Sequence, residues 1–211
     1  MIDDLARIPS SLYAGDYQAV PTLVRKCLDQ GLKPGEILEQ GLIPGMDRVG
    51  QDFKAGTLYV PEVLIAARAM HAGMDLLRPL LAGSGAKTLG KCVIGSVQGD
   101  LHDIGKNLVK MMLEGAGFEM IDLGTDVDPA RFVEAVREHQ PKLVGISALL
   151  TTTMQGMKTT VDVLRSAGVR DSVKVLVGGA PVTETFAREC GADGYASNAA
   201  AAVDTARSLT A

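Results

Sequence analysis

Apolar residues along roughly the first 82 positions recur at spacings of three and four, the period of an amphipathic helix. From Asp16 to Gln30 they fall at Val20, Leu23, Val24, Cys27 and Leu28, and Gly31 follows as a stop. From Pro34 to Asp52 they fall at Ile37, Leu38, Leu42, Met46 and Val49, with Pro44 inside the run predicting a break or kink. From Pro61 to Leu81 the set is Val63, Leu64, Ala67, Met70, Met74 and Leu77. With a helix over Ile2–Ala14 this predicts an N-terminal four-helix bundle. Leu81-Ala82-Gly83-Ser84-Gly85-Ala86 reads as a linker.

From Gly90 the pattern changes. Short apolar runs at Lys91–Val97, Phe118–Gly124, Leu143–Leu149, Lys174–Gly179 and Gly194–Ser197 alternate with helical patterns at Ile104–Ala116, Pro129–Glu138, Thr153–Ala167, Thr183–Cys190 and Ala199–Leu209. Strand–helix alternation with β-branched strands predicts an α/β domain with a doubly wound, five-stranded parallel sheet. The predicted organisation is a helical domain with linker over residues 1–86 and the α/β domain over 87–211. Such sheets bind ligands at the carboxyl ends of their strands. The polar segments gather there: Asp100 and His102 after the first strand, Thr151 and Thr153 after the third, Gly178 and Gly179 at the end of the fourth.

The chain has 211 residues, 46% hydrophobic and 22% charged, with a net charge of −4 and no basic cluster, which argues against nucleic acid as the main partner. No Lys/Arg-headed apolar segment opens it, and no apolar run nears the ~20 residues of a membrane span. A soluble, cytoplasmic protein without a membrane partner is expected. Cys27, Cys92 and Cys190 are odd in number, far apart and without zinc-like spacing, so they read as small buried hydrophobes. With no Trp and 4% aromatic residues, a large planar ligand must be held mainly by aliphatic and small side chains.

The densest chemistry lies in Gly99-Asp100-Leu101-His102-Asp103-Ile104-Gly105-Lys106-Asn107, a polar loop between a strand and a helix start. A neutral imidazole there can ligate a metal, and an Asp two residues earlier can hold the other ring nitrogen. Asp-x-His-x-x-Gly at this place resembles the signature of cobalamin-binding domains, and the similarity extends over nearly the whole chain. The resemblance implies a Rossmann-like B12-binding domain with cobalt as its metal. His102 then replaces the nucleotide base as lower axial ligand, and the displaced tail enters a deep cleft. It also implies cofactor contacts from Gly99, Leu101, Asp103, Ile104 and Gly105.

In the family a hydroxyl residue contacts the Asp. The matching position is Thr153, where related methionine synthases carry Ser; a plain helix cap is the other reading of Thr153. Cobalt changes coordination during methyl transfer, so His102 should leave and rejoin it, with Asp100 and Thr153 tuning the accompanying proton. Ser147 and Thr151 map to the residues lining the tail cleft, within a segment that includes Leu149. Their alternative is an ordinary Ser/Thr-rich loop. Val177-Gly178-Gly179-Ala180-Pro181 is similar to the family's second glycine signature, where Gly178 and Gly179 would let the backbone approach a bulky ligand; a simple turn is the alternative. Asp193–Ala199 resembles the closing segment, with Tyr195 in it and Ala199 facing the tail.

Val49 to Val63 is similar to the helical cap of methionine synthase and its relatives. The residues shielding the upper face of the corrin map to Phe53 and Val60, the latter smaller than the usual Leu, and Glu39 matches a cap carboxylate near the ligand. Bundle core is the plain alternative for Phe53 and Val60. The linker would be the hinge on which a cap moves aside.

The implied function is that of a corrinoid protein carrying a methyl group between a substrate-specific methyltransferase and a second methyltransferase whose acceptor is tetrahydrofolate or a thiol, with a reductive activator as third partner. It is a carrier subunit in its methylcobalamin form, as in methylamine, methanol, glycine betaine and aryl methyl ether metabolism, rather than a complete catalyst. The alternatives are the small subunit of an adenosylcobalamin mutase, which usually lacks such a cap, and a B12-based sensor, which carries Trp and a DNA-binding region absent here.

Overall fold

A computed structural model of the chain describes residues 2–81 and 88–211. The linker expected at residues 82–86 lies outside the described residues. The chain divides into two compact units: Met1–Thr88 with Gly115–Gly117, and Leu89–Glu114 with Phe118–Ala211.

The first unit is helical: α1 (Ile2–Tyr13), α2 (Ala19–Asp29), α3 (Pro34–Ile37), α4 (Ile43–Lys54) and α5 (Val60–Leu81). The apolar positions that set the period supply its core: Ile8, Leu12, Val20, Val24, Ile37, Leu42, Met46, Val49, Val63, Met70 and Leu77 are all buried. Asp16 Oδ1 accepts the Gln18 and Ala19 amides, so α2 starts three residues later than its polar lead-in. Gly15, at φ +72°, passes so close to Ile65 that a Cβ would lie 2.1 Å from Ile65 Cγ2. The helix expected over Pro34–Asp52 is interrupted before Pro44 by a π turn at Leu38–Leu42, in which Ile43 N–H donates to Leu38 O. Proline has no N–H to offer the carbonyl four residues earlier, and widening the turn absorbs the loss.

The second unit contains β1 (Gly90–Ser96), α6 (Ile104–Gly115), β2 (Phe118–Asp122), α7 (Pro129–His139), β3 (Leu143–Ser147), α8 (Gln155–Ser166), β4 (Lys174–Gly178), α9 (Glu184–Glu189), β5 (Gly194–Ala196) and α10 (Ala199–Thr210). Every pairing is parallel and the order is β2-β1-β3-β4-β5. On one face Val93, Val144, Ile146, Val175 and Val177 pack with Phe132 and Val136 of α7 and Met157, Val161 and Leu164 of α8. On the other, α10 lies so close to β5 that a Cβ on Gly194 would meet Thr205 at 2.8 Å.

β1 is flanked by β2 on one side and β3 on the other, so successive crossovers leave in opposite directions. This is a topological switch point, and it opens a crevice at the carboxyl ends of β1 and β3. A register row of small residues crosses the sheet there, Ser96 opposite Ser147, Ser147 opposite Gly178, and Gly178 opposite Ala196.

Candidate cofactor site

The loop after β1 turns sharply at Gly99, which has φ +82°. The turn drives Asp100 inward to 1% exposure and leaves the His102 side chain half exposed. Asp100 Oδ1 accepts the backbone N–H of His102 at 3.0 Å and faces its ring Nδ1 at 2.8 Å. Oδ2 accepts the Leu149 amide and the Thr153 hydroxyl, each at 2.7 Å. The second oxygen thus ties the loop after β1 to the loop after β3.

Burial by itself would push the Asp100 carboxyl up. The hydrogen bonds from Thr153, Leu149 and His102 together outweigh it and hold the group well below the usual carboxylate range. Asp100 is therefore an anion that only accepts, so His102 Nδ1 carries the ring proton. In the neutral form of the ring Nε2 keeps the lone pair, and among the described residues Nε2 makes no hydrogen bond. Ser96 Oγ donates to His102 O at 2.8 Å and fixes the backbone of the same residue from beneath.

Among the described residues no three His, Cys, Asp or Glu side chains gather to hold a metal ion. The protein's donor set at this crevice is one oriented imidazole. That suits a metal whose in-plane ligands come from a macrocycle and which needs a single axial nitrogen. Apolar side chains stand exposed beside it: Leu101, Ile104, Leu149 and Leu150. They are aliphatic, in keeping with the scarcity of aromatic residues.

Thr153 does not cap a helix. α8 begins at Gln155, its cap position Met154 contributes no side-chain bond, and the Thr153 hydroxyl points to Asp100 with Leu150 O as competing acceptor at 3.0 Å. Ser147 is half-buried in the register row, while Thr151 is exposed in the following turn. Gly178 ends β4, and Gly179 has φ +136°. The close approach that Gly179 allows is to the chain's own backbone, since a Cβ there would stand 1.8 Å from Ala148 O. Tyr195 packs at the edge of the α7–α8 core, and Ala199 is buried at the start of α10 behind an Asn198 cap. Asp103 immediately precedes α6 and accepts the Asn107 amides of backbone and side chain at 2.7 and 3.0 Å, with Gly105 exposed in the helix's first turn.

In the helical unit Phe53 is half-buried and Val60 is 37% exposed, so neither belongs to the bundle core. They flank the α4–α5 connection, which Asp52 O organises by accepting the Thr57 and Leu58 amides. Glu39 is exposed in the π turn, at the opposite end of α4 from Phe53. The three cysteines are buried and free, and burial pushes the Cys92 thiol up to about 12.

Comparison with known proteins decides the family. A profile described as B12 binding domain matches residues 90–204, and a second with the same description matches residues 5–78. The chain belongs to the B12-binding family. This B12-binding protein is 49% identical over 181 residues to the dimethylamine corrinoid protein of Methanosarcina barkeri, covering 85% of each chain. It is 44% identical over 202 residues to trimethylamine corrinoid protein 2 of Methanosarcina acetivorans, covering 95% of this chain and 93% of that one. Its fold matches a chain of the solved methanol:cobalamin methyltransferase complex of Methanosarcina barkeri with a TM-score of 0.88 at 29% identity, over 99% of this chain and 80% of the other. No helix among the described residues is long and apolar enough to cross a membrane.

The structure brings the expected Asp100, His102 and Thr153 into contact and adds three residues that the sequence did not single out, Ser96, Lys106 and Asp126. Ser96 had a signal, a hydroxyl in an otherwise apolar strand. Lys106 had a weaker one, a cation in the first turn of an amphipathic helix; its side chain is 2% exposed and bonds Asp122 Oδ1 at 2.6 Å. Asp126 had none.

Proposed function

We propose that this chain is a cytoplasmic methyl carrier of a corrinoid-dependent methyltransferase system. One methyltransferase loads it from a methylated amine and a second unloads it to a thiol or to tetrahydrofolate, with a reductive activator as third partner. The observation that carries the reading is the His102–Asp100 pair: a buried, hydrogen-bonded carboxylate holds ring Nδ1 of a half-exposed histidine, so Nε2 would be the nitrogen to hold a metal. The amine as methyl source follows the names of the relatives, and a methyltransferase partner follows the complex in which the fold neighbour was solved.

When bound, the corrinoid supplies a cobalt centre that accepts and releases a methyl group; the protein supplies ligation and protection. His102 Nε2 would hold the cobalt. Asp100 raises the donor strength of the ring through Nδ1–H, and Thr153 holds Asp100 in place. Ser147, Thr151, Gly178, Gly179, Tyr195 and Ala199 are proposed to border the tail, with Leu101, Ile104 and Leu149 offering aliphatic surface to the macrocycle. Residues 1–86 are proposed as the cap, where Glu39, Phe53 and Val60 serve the cofactor. The place of half-buried Phe53 and exposed Val60 outside the bundle core supports that role.

The test is the visible spectrum of the purified protein after incubation with methylcobalamin and gel filtration, for wild type and His102→Ala. Retained corrinoid with a His-on spectrum in wild type and a base-off spectrum in the variant is expected. A wild type that retains no corrinoid overturns the reading. Loaded protein is then offered to a thiol-dependent and a folate-dependent methyltransferase; failure to pass the methyl group to either removes the carrier role.

A further inference from the structure

The loop between β2 and α7 runs alongside the His102 loop as an extension of the sheet. Leu123 N–H donates to Ile94 O, Ser96 N–H to Gly124 O and Val127 N–H to Ser96 O, and Val97 and Val127 form a parallel bridge. At the centre of this loop Asp126 grips the peptide that precedes His102. Its Oδ1 accepts the Gly99 N–H at 2.6 Å, and its own N–H donates to Asp100 O at 2.9 Å. The grip therefore engages both ends of the Gly99–Asp100 dipeptide. Asp126 does this from the left-handed region, φ +53°, an unusual conformation for a residue other than glycine but one that Asp and Asn tolerate. Asp128 anchors the far end of the loop, capping α7 through Ala130 N–H at 2.8 Å.

We infer that Asp126 is a positioning residue for the axial histidine: by clamping the Gly99–Asp100 backbone it fixes where the Asp100 carboxylate stands, and so how firmly His102 is presented. The inference rests on the proposed corrinoid ligation, but its physical content lies in the protein alone. Asp100 meets His102 by accepting two hydrogen bonds at one carboxylate oxygen, and such a fork tolerates little rotation of the Asp100 backbone. The opposite oxygen is pinned by the β3 loop. Asp126 is the contact that fixes the backbone from the β2 side. Without it the loop keeps its sequence and its glycine turn but loses the restraint on the peptide between them.

Three substitutions separate backbone conformation from the side-chain bond. Asp126→Asn keeps an Oδ1 acceptor and tolerates positive φ. Asp126→Gly tolerates the conformation and keeps the N–H bond, but has no side-chain acceptor. Asp126→Ala loses the acceptor and strains the backbone. Two readouts are taken. In protein without corrinoid, hydrogen exchange at the Gly99 and His102 amides should quicken by about tenfold in Asp126→Gly, the worth of one charge-assisted hydrogen bond, and stay near wild type in Asp126→Asn. In protein loaded with methylcobalamin, the His-on to base-off ratio should fall in the order wild type, Asn, Gly, Ala, with rescue by Asn as the signature of the acceptor.

Equal His-on ratios and equal amide exchange in wild type and Asp126→Gly would overturn the inference, provided the wild type binds corrinoid. A wild type that binds none fails the functional reading instead, while the exchange result still judges the clamp. A melting temperature for Asp126→Gly near that of wild type keeps a shift in ratio from being read as unfolding.

Discussion

Two carboxylates at the carboxyl edge of one sheet are both held below the ordinary range, by different means. Asp100, after β1, is surrounded by neutral donors: two backbone amides, a hydroxyl and an imidazole. Asp122, ending β2, is surrounded by cations. Burial pushes it up, but Lys106 at 2.6 Å and Lys110 at 2.9 Å, with the Gly124 amide, bring it from 3.8 to about 2. The difference separates two uses of a buried charge. At Asp122 the negative charge is cancelled locally, and its effect is to seat the buried Lys106. At Asp100 it is solvated by dipoles but not cancelled, so it remains available to polarise the His102 ring. At Asp100 the absence of a Lys or Arg partner keeps the charge for the ring beside it, whereas at Asp122 two ammonium groups take it up.

The largest expected effect lies on the cationic side. Asp122→Asn leaves the buried Lys106 ammonium without its counter-ion and with only neutral acceptors, Asn107 Oδ1 at 2.9 Å among them, so it should cost about 3 kcal/mol in denaturant unfolding. Lys106→Met leaves Asp122 with Lys110, the Gly124 amide and partial exposure, and should cost about 1 kcal/mol. If the two variants cost the same, the pair is not asymmetric in the way their burial indicates. Neither should move the His-on to base-off ratio, because the carboxamide of the Asp122→Asn variant still offers the Gly124 amide an acceptor.

Asp100→Asn should do the reverse. Removing the uncancelled charge is expected to weaken His-on corrinoid binding by about 10- to 100-fold, read by spectral titration. A ratio unchanged in Asp100→Asn would erase the distinction between the two sites. Smaller still is Thr153→Val, which removes one of four donors to Asp100 and should cost about 1 kcal/mol in apoprotein stability, whereas Thr153→Ser should restore it.

The smallest effect tests the sign of the shift at Asp122. Its folded value, about 2, lies below the 3.8 of the free group, so folding favours the charged form. That contribution is complete above about pH 4 and is lost as the pH falls towards about 2. Urea midpoints across this window should therefore drop less steeply in Asp122→Asn than in wild type. A steeper drop in the variant would reverse the sign.

Much of this molecule is legible in its sequence. Strands and helices of the second unit fall within a few residues of their expected bounds because short apolar runs in strands buried on both faces, and helical periods in helices buried on one, are local consequences of burial. The Asp100–His102 relation is legible too, since two residues of separation leave few ways for a carboxylate to miss the neighbouring ring. The interruption before Pro44 is expected from its missing N–H, although its form, a π turn at Leu38–Leu42, is not. Thr153 is readable as either cap or partner, and only its distance to Asp100 separates them.

What the tertiary structure decided is non-local. Asp100 and Thr153 lie 53 residues apart in sequence, and Gly99 and Asp126 lie 27 apart. They meet because the strand order sets β1 between β2 and β3, and no periodicity along the chain encodes strand order. The same holds for Gly179, whose freedom reads in the sequence as room for a ligand and proves necessary for Ala148 O. Local sequence determined which segments are strands and helices, because backbone sterics and burial act over a few residues. The choice among strand orders depends on how whole helices pack over a twisted sheet, a free energy shared by residues far apart, and that choice brought the acceptor, its donors and its clamp to one edge.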